Sequence, residues 1–355
     1  MEKDNGGYRQ INKSLNICAF DEYLVGQAAR LPQLASVEQV SPRVLRVLGG
    51  NAGKFTLQGT NTYIVGTGRQ RLIVDTSGGE KEWIDLIASV LESHQISLSH
   101  VLLTHWHGDH TGGVPDLIRL YPDIQDSVYK NEPEEGQQDI FDGQKFVVEG
   151  ATVRALHVPG HSTDHMCFIL EEEKAMFTGD NILGHGTSAV EDLGIFMGSL
   201  EKMKSQHCTT GYSAHGVVID NLPAKITGEL RQKWRREKQV LQALDELRVG
   251  KNEKSATLQE LVTAIYGESL DQEMRELALE PFIDEVLRKL AGDGRVAFER
   301  RRGIKKWYTI QKAAPRSAMA LSRSTTNEKL PNAQMGAMEK AMLTVSMSEL
   351  ADGVY

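Results

Sequence analysis

The segment Thr104–Gly113 reads THWHGDHTGG and follows the short apolar run VLL. It places four ligand-type side chains within six residues: His105, His107, Asp109 and His110. Residues i and i+2 of an extended segment point the same way, so we expect His105 and His107 to hold one metal ion together. Asp109 and His110 lie past the point where the chain is expected to turn into a helix. That turn is predicted to aim them at a second ion.

One short segment does not close a metal site, so further ligands are expected elsewhere. Three candidates follow β-rich runs and have a glycine beside them, as suits loops at the rim of a sheet: His161 in VPGHSTDH, Asp180 in FTGD and His215 in SAHG. We predict two ions per chain and the following grouping: His105, His107 and His161 on one ion, Asp109, His110 and His215 on the other, and Asp180 between them. Imidazole and carboxylate ligands suit Zn²⁺, although Mn²⁺ and Fe²⁺ also accept this mixture.

Around this segment, runs typical of strands alternate with helical spacing, which favours an α/β fold. A hairpin is expected at Gly66–Gly68 and another at Glu171–Glu173. A helical pattern covers Trp83–Leu91. The predicted strands include VLRVLGG (44–50), TNTYIVGTG (60–68), RLIVDTSGG (71–79), VLLTH (101–105), SVYK (127–130), KFVVEG (145–150) and ATVRALHVPG (151–160).

The composition changes after Pro223. Helices are predicted over 224–247, 257–266 and 272–290, followed by two strands joined at Arg302–Gly303, an order that resembles a small winged-helix-like cap. The domains predicted on this basis are an N-terminal extension (1–43) with helical turns between Phe20 and Leu34, a catalytic domain (44–223), the helical region (224–312) and a mostly disordered tail (313–355) with a short helix near 336–350.

Composition and charge exclude several classes of protein. The 355 residues include 40 Lys and Arg and 48 Asp and Glu, a formal net charge of −8, which argues against nucleic acid as the main partner. Cys18, Cys167 and Cys208 lie too far apart for a CxxC site, and a reducing, cytoplasmic location fits them best. The sequence contains neither an apolar signal region nor an 18-residue apolar run, so we expect no secretion and no membrane contact.

The HxHxDH pattern with the later His, Asp and His resembles the metallo-β-lactamase superfamily over residues 44–223. The resemblance implies an αββα sandwich that holds two metal ions at one edge between two sheets. It implies that Asp75, in LIVDTSGG, supports the metal ligands rather than binding metal itself. His165 and His185 are further candidates for supporting or substrate-lining residues, and a purely structural hydrogen-bonding role stays open for both.

A narrower resemblance rests on GKFTLQGTNTYIVGTG (53–68), GDNILGHGT (179–187) and the helical C-terminal region. These segments are similar to the branch that contains the fungal lactamase-type thioesterases, which partner polyketide synthases lacking their own releasing domain. The resemblance implies that the partners are the acyl carrier protein of a polyketide synthase and its polyketide thioester. The same branch includes an animal endoribonuclease, and glyoxalase II is a more distant relative.

The predicted chemistry is hydrolysis. Two divalent ions bridged by a carboxylate acidify a bound water to a pKa near ~7, so no protein nucleophile is needed. Asp109 is the best group to orient that water and handle its proton, and a role as ligand alone is equally compatible. The chain has no GxSxG elbow, and Cys167 in MCFIL is expected to belong to the core.

Three functions are compatible with the predicted metal centre and the family resemblance. The first is a thioesterase that releases a polyketide by hydrolysis or assisted cyclisation, with a glyoxalase II-like thioester hydrolase as its variant. The second is a metal-dependent endoribonuclease, and the third is a catalytically silent adaptor. Seven retained ligands argue against the adaptor, and the acidic balance argues against RNA. The cations of Arg300–Arg302 and Lys305–Lys306 are compatible with an acidic carrier protein, with RNA or with a solvated wing.

Overall fold

The computed structural model describes residues 31–53, 55–250, 254–268, 272 and 275–310. Two predicted regions lie outside the described residues. They are the tail (313–355) with its short helix, and nearly all of the helical turns between Phe20 and Leu34. The described residues divide into two compact units, one up to Arg235 and one from Arg236 to residue 310. Among the described helices, none combines the length and the apolar composition that crossing a bilayer requires.

The first sheet of the first unit has seven strands, which follow one another in space as they do in sequence. The first four pair antiparallel, and from the fourth onward the pairing is parallel. The strands are β1 (Val37–Ser41), β2 (Val44–Leu48), β3 (Asn61–Val65), β4 (Gln70–Val74), β5 (Ser97–Leu102), β6 (Val128–Lys130) and β7 (Gln138–Asp139).

The second sheet has five strands in the spatial order β12-β11-β10-β9-β8. Only the pair β11 and β12 is parallel. The expected hairpin at Glu171–Glu173 is present between β10 and β11. The strands are β8 (Lys145–Val148), β9 (Ala151–His157), β10 (Met166–Leu170), β11 (Ala175–Gly179) and β12 (Thr210–Ser213).

Two apolar layers hold the sheets and helices together. Between the sheets, side chains such as Val65, Phe168 and Phe177 form one buried cluster. On the other face of the first sheet, Trp83 and Ile87 belong to a second cluster. The helices of this unit are α1 (Lys81–Ser93), α2 (Gly108–Thr111), α3 (Val114–Leu120), a 3₁₀ turn (Pro122–Ser127) and α4 (Leu193–Lys204), and α5 (Leu222–Gly250) begins here. The result is an α/β fold of two mixed sheets with helices.

One local expectation about the metal segment is wrong. The strand predicted over 101–105 begins earlier, at Ser97, and ends at Leu102, so His105 and His107 lie in a loop rather than on extended strand backbone. The physical reason is the short neighbour β6: its register with β5 ends at Leu102, opposite Tyr129, and the chain is then free to turn into α2.

The second unit contains the later part of α5, then α6 (Leu258–Tyr266), a π-helical turn (Arg275–Leu279), α7 (Glu280–Gly292) and the hairpin of β13 (Val296–Arg301) and β14 (Ile304–Thr309). Helix α6 begins at a capping box in which Thr257 and Glu260 bond each other's backbone N–H groups. Within the helix expected over 272–290, residues Arg275–Leu279 form a π-helical turn, and the regular α-helix that follows it is Glu280–Gly292.

Candidate metal centre

Seven side chains meet at one edge of the two sheets, and all of them are buried. Each comes from a segment that follows a strand, because strand ends place loops at the sheet edge. The segment after β5 supplies four of them, and the segments after β9, β11 and β12 supply one each: His105, His107, Asp109 and His110, then His161, Asp180 and His215.

The glycines that close the metal segment permit its tight fold. A Cβ at Gly113 would lie 2.1 Å from the carbonyl oxygen of Thr76 and 2.3 Å from the ring of Trp83. A Cβ at Gly112 would lie 2.5 Å from the backbone of Gly78. Helix α2 can therefore pack against the loop that follows β4 only because both positions lack a side chain.

The three-histidine group consists of His105, His107 and His161. The Nε2 of His105 lies 2.7 Å from the Nδ1 of His107. The Nε2 of His161 lies 3.2 Å from His105 Nε2 and 3.1 Å from His107 Nδ1. Three ring nitrogens from two different loops thus converge on one point.

The carboxylate group consists of Asp109, His110 and His215. The Oδ2 of Asp109 lies 3.4 Å from His110 Nε2 and 3.2 Å from His215 Nε2. Asp180 lies between the two groups, with Oδ1 3.3 Å from His215 Nε2 and Oδ2 3.7 Å from His161 Nε2. The structure therefore brings together all seven predicted side chains in the expected arrangement, and their role as metal ligands stays a prediction.

The donor set fits a pair of divalent cations. Two Zn–N bonds of about 2.1 Å in a tetrahedral site hold the nitrogens about 3.4 Å apart. Two of the three nitrogen pairs in the three-histidine group, at 3.1 and 3.2 Å, come close to this spacing. Buried polar atoms without hydrogen bonds are costly. Nevertheless, four atoms that face one another here have no hydrogen-bond partner among the described residues: Asp109 Oδ2, His110 Nε2, Asp180 Oδ1 and His215 Nε2. A cation at each group would satisfy them.

Asp75 supports the carboxylate group from behind. Its Oδ2 lies 2.9 Å from His110 Nδ1 and its Oδ1 accepts a 2.8 Å bond from the Thr104 backbone N–H. The Thr104 hydroxyl lies 3.0 Å from His105 Nδ1 and 3.3 Å from His110 Nδ1, so it contacts both groups. Such contacts fix the ring orientation and leave the opposite nitrogen facing the site.

Neutral contacts support the three-histidine group. The Nδ1 of His161 lies 3.0 Å from the Ala189 carbonyl oxygen and 3.1 Å from the Ser188 hydroxyl. The Nδ1–H of His161 can donate to the carbonyl, which leaves the Nε2 lone pair facing His105. His165 is buried and its Nε2 accepts a 3.0 Å bond from the backbone N–H of Asp180.

In the metal-free protein, burial and neighbouring charge shift the histidine pKa values of the two groups in opposite directions. Burial lowers the pKa of His107 to about 3 and holds the pKa values of His105 and His161 below the ordinary range. Burial also disfavours charge on His215, but the Asp180 charge and the close contact with the Asp109 carboxylate outweigh it and raise the pKa of His215 to about 9.

Burial and neighbouring charge also compete at the other members of the carboxylate group. Burial opposes charge on His110, but the Asp109 and Asp180 charges raise the pKa of His110 well above its usual value. Burial by itself raises the pKa of Asp109, yet the charge of His110 and the close contacts with the His110 and His215 rings hold it below its ordinary value. Without metal, this group is a network of imidazolium and carboxylate.

His185 lies in a loop joined to the His215 loop, since the Gly184 N–H donates to the His215 carbonyl at 2.8 Å. Its imidazole is half-buried, and burial together with the charge of Lys225 lowers its pKa. Cys167 is buried in β10, as expected, and burial raises the pKa of its thiol well above the usual value.

Sequence reasoning missed several supporting groups. Asn61 donates from its amide to the carbonyls of Ser213 and Gly216, both at 2.9 Å, and so ties the His215 loop to the first sheet. Lys130 forms a buried 2.8 Å ion pair with Asp164, which lies close to His161 and His165 in sequence. The run TNTY, which contains Asn61, belongs to a segment that carries the family resemblance, but nothing in the sequence pairs Asn61 with residues about 150 positions away.

The chain is similar in sequence to known proteins. The family model described as the metallo-beta-lactamase superfamily matches residues 55–209. An atrochrysone carboxyl ACP thioesterase of Pseudocercospora fijiensis (strain CIRAD86) is 71% identical over 311 residues, covering 88% of this chain and 93% of that protein. An atrochrysone carboxyl ACP thioesterase of Claviceps purpurea (strain 20.1) is 70% identical, covering 88% of this chain and 100% of that protein.

Solved structures agree on the fold. A beta-lactamase domain protein from Burkholderia ambifaria matches with a TM-score of 0.60 at 15% identity, covering 79% of this chain and 96% of that chain. A metallo-beta-lactamase family protein from Thermus thermophilus matches with a TM-score of 0.52 at 18% identity, covering 77% of this chain and 100% of that chain. At these identities the likeness concerns the fold alone.

Proposed function

The chain belongs to the metallo-β-lactamase superfamily, and from this premise we propose that it is a metal-dependent thioesterase that releases a polyketide from the acyl carrier protein of a polyketide synthase in secondary metabolism. The observation that carries the proposal is the complete set of seven buried ligand-type side chains in a chain about 70% identical to atrochrysone carboxyl ACP thioesterases. On this basis the acyl group is that of atrochrysone carboxylic acid.

The three-histidine group would hold one Zn²⁺, the carboxylate group the second, and Asp180 would contact both. Bound divalent ions supply Lewis-acid polarisation of the thioester carbonyl and a water acidic enough to ionise near neutral pH. Asp109 is the protein group suited to the proton, because its Oδ2 faces the site without a hydrogen bond among the described residues. Asp75 and Thr104 hold the rings in place while the reaction proceeds.

The same proposal assigns the remaining parts of the chain. Residues 1–43 are assigned to an N-terminal extension, the end of which adds β1 to the first sheet. Residues 44–223 are assigned to the catalytic domain, residues 224–312 to a winged-helix-like region and residues 313–355 to the tail. The order helix, bridge, helix, helix, hairpin supports the winged-helix-like assignment, since Ala256 forms an isolated antiparallel bridge with Trp307 of β14. His165 acts as a support for Asp180, and His185 lines the substrate side of the His215 loop.

A metal-dependent endoribonuclease is the second candidate, because the winged-helix-like order and the cations of the β13–β14 hairpin are compatible with RNA. The identity with ACP thioesterases favours the first candidate. A glyoxalase II-like hydrolase would act on small thioesters and would not depend on a carrier protein.

A release assay separates these functions. A carrier protein loaded with the polyketide thioester is mixed with the Zn²⁺-loaded protein, and the released acid is followed by chromatography. We expect metal-dependent release from the carrier and no cleavage of single-stranded RNA. Cleavage of RNA without any release of the polyketide would overturn the proposal, and Asp109→Asn serves as the inactive control with the same fold.

A further inference from the structure

The hairpin of β13 and β14, here called the basic hairpin, concentrates positive charge on an acidic chain. Between Val296 and Thr309 it carries five cationic side chains against one carboxylate, Glu299, a net charge of +4, whereas the whole chain has −8. An acidic partner is repelled by the net negative charge of the chain and attracted to a positive patch such as this hairpin. The hairpin is therefore a candidate docking surface for a partner with an acidic face.

Part of this charge is already engaged within the unit. Arg301 pairs with Glu299 at 2.9 Å. Lys305 pairs with Asp284 of α7 at 3.2 Å and lies 4.1 Å from the ring centroid of Trp307.

Arg300 and Arg302 differ from these two residues. Both are exposed, and in the part of the chain that the structure describes no carboxylate forms an ion pair with either of them. Arg302 also adopts a positive φ of 51° at the tip of the turn, next to Gly303. The two guanidinium groups at the hairpin tip therefore have their charge available to a partner.

Apolar side chains accompany these cations. Phe298 is 51% exposed and Ile304 is 55% exposed. Phe298 and Arg300 lie two residues apart on β13 and therefore share one face of the hairpin, and the register pairs Arg301 with Ile304 on the other face. Arginine mixed with aromatic and aliphatic surface is typical of protein interfaces, whereas surfaces that follow a phosphate backbone are more polar.

The hairpin is also well anchored. Trp307 is only 2% exposed, and its backbone exchanges two hydrogen bonds of 2.7 and 2.8 Å with Ala256. A preformed surface loses little conformational entropy when a partner binds.

We propose that the basic hairpin is the docking surface for the acidic face of the acyl carrier protein that presents the thioester. The inference rests on the proposed function, because it takes the carrier protein as the partner. The hairpin recognises the carrier, and the chemistry is left to the metal centre. Recognition by charge complementarity raises the rate of encounter and weakens in high salt.

The test reverses the free charges. In the full-length, Zn²⁺-loaded protein, Arg300→Glu and Arg302→Glu are combined. The matched control combines Arg231→Glu and Arg235→Glu, which changes the charge equally at two exposed positions of α5. Both variants are assayed with the carrier-bound thioester and with the same acyl group on free pantetheine.

We expect the hairpin variant to lose about tenfold or more in kcat/KM with the carrier-bound substrate, mainly through KM. Turnover of the free pantetheine thioester should be unchanged, and the control variant should behave as the wild type with both substrates. Raising the salt to about 0.5 M should narrow the difference, because the Debye length then becomes a few ångströms.

Three results would overturn the docking surface: a hairpin variant that matches the control with the carrier-bound substrate, an equal loss with both substrates, or a loss of single-stranded RNA binding with unchanged carrier kinetics. A wild-type protein that hydrolyses neither thioester contradicts the proposed function instead. In that case the Kd for the carrier protein still tests the hairpin, since about tenfold weaker binding by the hairpin variant than by the control supports it and equal binding refutes it.

Discussion

The two halves of the metal centre are built from similar side chains and differ in charge. The three-histidine group has no carboxylate of its own, so burial dominates and the pKa values of its rings are lowered. The carboxylate group includes Asp109, and its two histidines have raised pKa values. A neutral imidazole is ready to bind a cation, whereas an imidazolium must first lose its proton. Ligand type alone therefore does not determine how readily each half binds metal.

The supports behind the two halves differ in the same sense. His110 contacts the carboxylate of Asp75 at 2.9 Å, and His161 contacts the Ala189 carbonyl at 3.0 Å and the Ser188 hydroxyl at 3.1 Å. A carboxylate makes its histidine a more basic ligand, whereas a carbonyl mainly orients the ring. The basicity of the histidines in the carboxylate group thus depends on charged neighbours more than that of the rings in the three-histidine group.

Removal of metal from both halves should have the largest effect. Dialysis against a strong chelator such as dipicolinate is expected to lower the rate of thioester release at least ~1000-fold, because the acidified water and the polarised carbonyl are both lost. Zn²⁺ added back should restore the rate. Activity that persists in a preparation shown by elemental analysis to be free of transition metals would contradict a metal-dependent centre altogether.

Removal of one ligand from each half tests the grouping. His107→Ala and His215→Ala should each lower kcat by about two to three orders of magnitude, more than the 10–100-fold typical of supporting residues. Bound metal should fall from two ions per chain to one. Circular dichroism and Tm are the controls for folding, since neither residue belongs to the two apolar clusters. Two ions retained at full affinity in either variant would show that the grouping is wrong.

The pH dependence of metal binding should separate the halves. With a pKa of about 9, His215 is protonated below that pH in the metal-free protein, so affinity at the carboxylate group should rise with pH, by about tenfold per unit for each proton displaced. With a pKa of about 3, His107 has no proton to lose above pH ~5, so affinity at the three-histidine group should stay nearly flat. Calorimetric Zn²⁺ titrations at several pH values measure how the affinity of each group changes with pH. Equal pH dependence at the two groups would contradict the predicted difference in their proton affinity.

Substitutions of the supporting residues should have the smallest effects on metal affinity. These effects should also differ between the two groups. Asp75→Asn is expected to weaken metal binding about 10–100-fold, because the carboxylate behind His110 is lost. Ser188→Ala should cost less than about tenfold, since the Ala189 carbonyl still orients His161. Competition with a chromophoric chelator measures both affinities. The comparison between the halves would be reversed if Ser188→Ala proved the more damaging of the two.

The prediction of the family from HxHxDH is confirmed by the relatives and the family model. Most strands and both hairpins were also predictable, because alternating apolar runs and turn residues are local signals. The residue at which β5 ends was not predictable from the sequence, since it depends on how far the neighbouring strand β6 extends. The π-helical turn at Arg275–Leu279 likewise left no mark in the apolar spacing.

The sequence by itself determined which residues could bind metal and that they would lie at strand ends, because ligand chemistry and the position of polar residues after apolar runs are properties of the linear chain. Only the tertiary structure decided which lone pairs face one another, that Asn61 ties the His215 loop to the first sheet, and that the two halves differ in proton affinity. The physical reason is that a pKa and a hydrogen bond depend on distance and burial, which involve residues far apart along the chain.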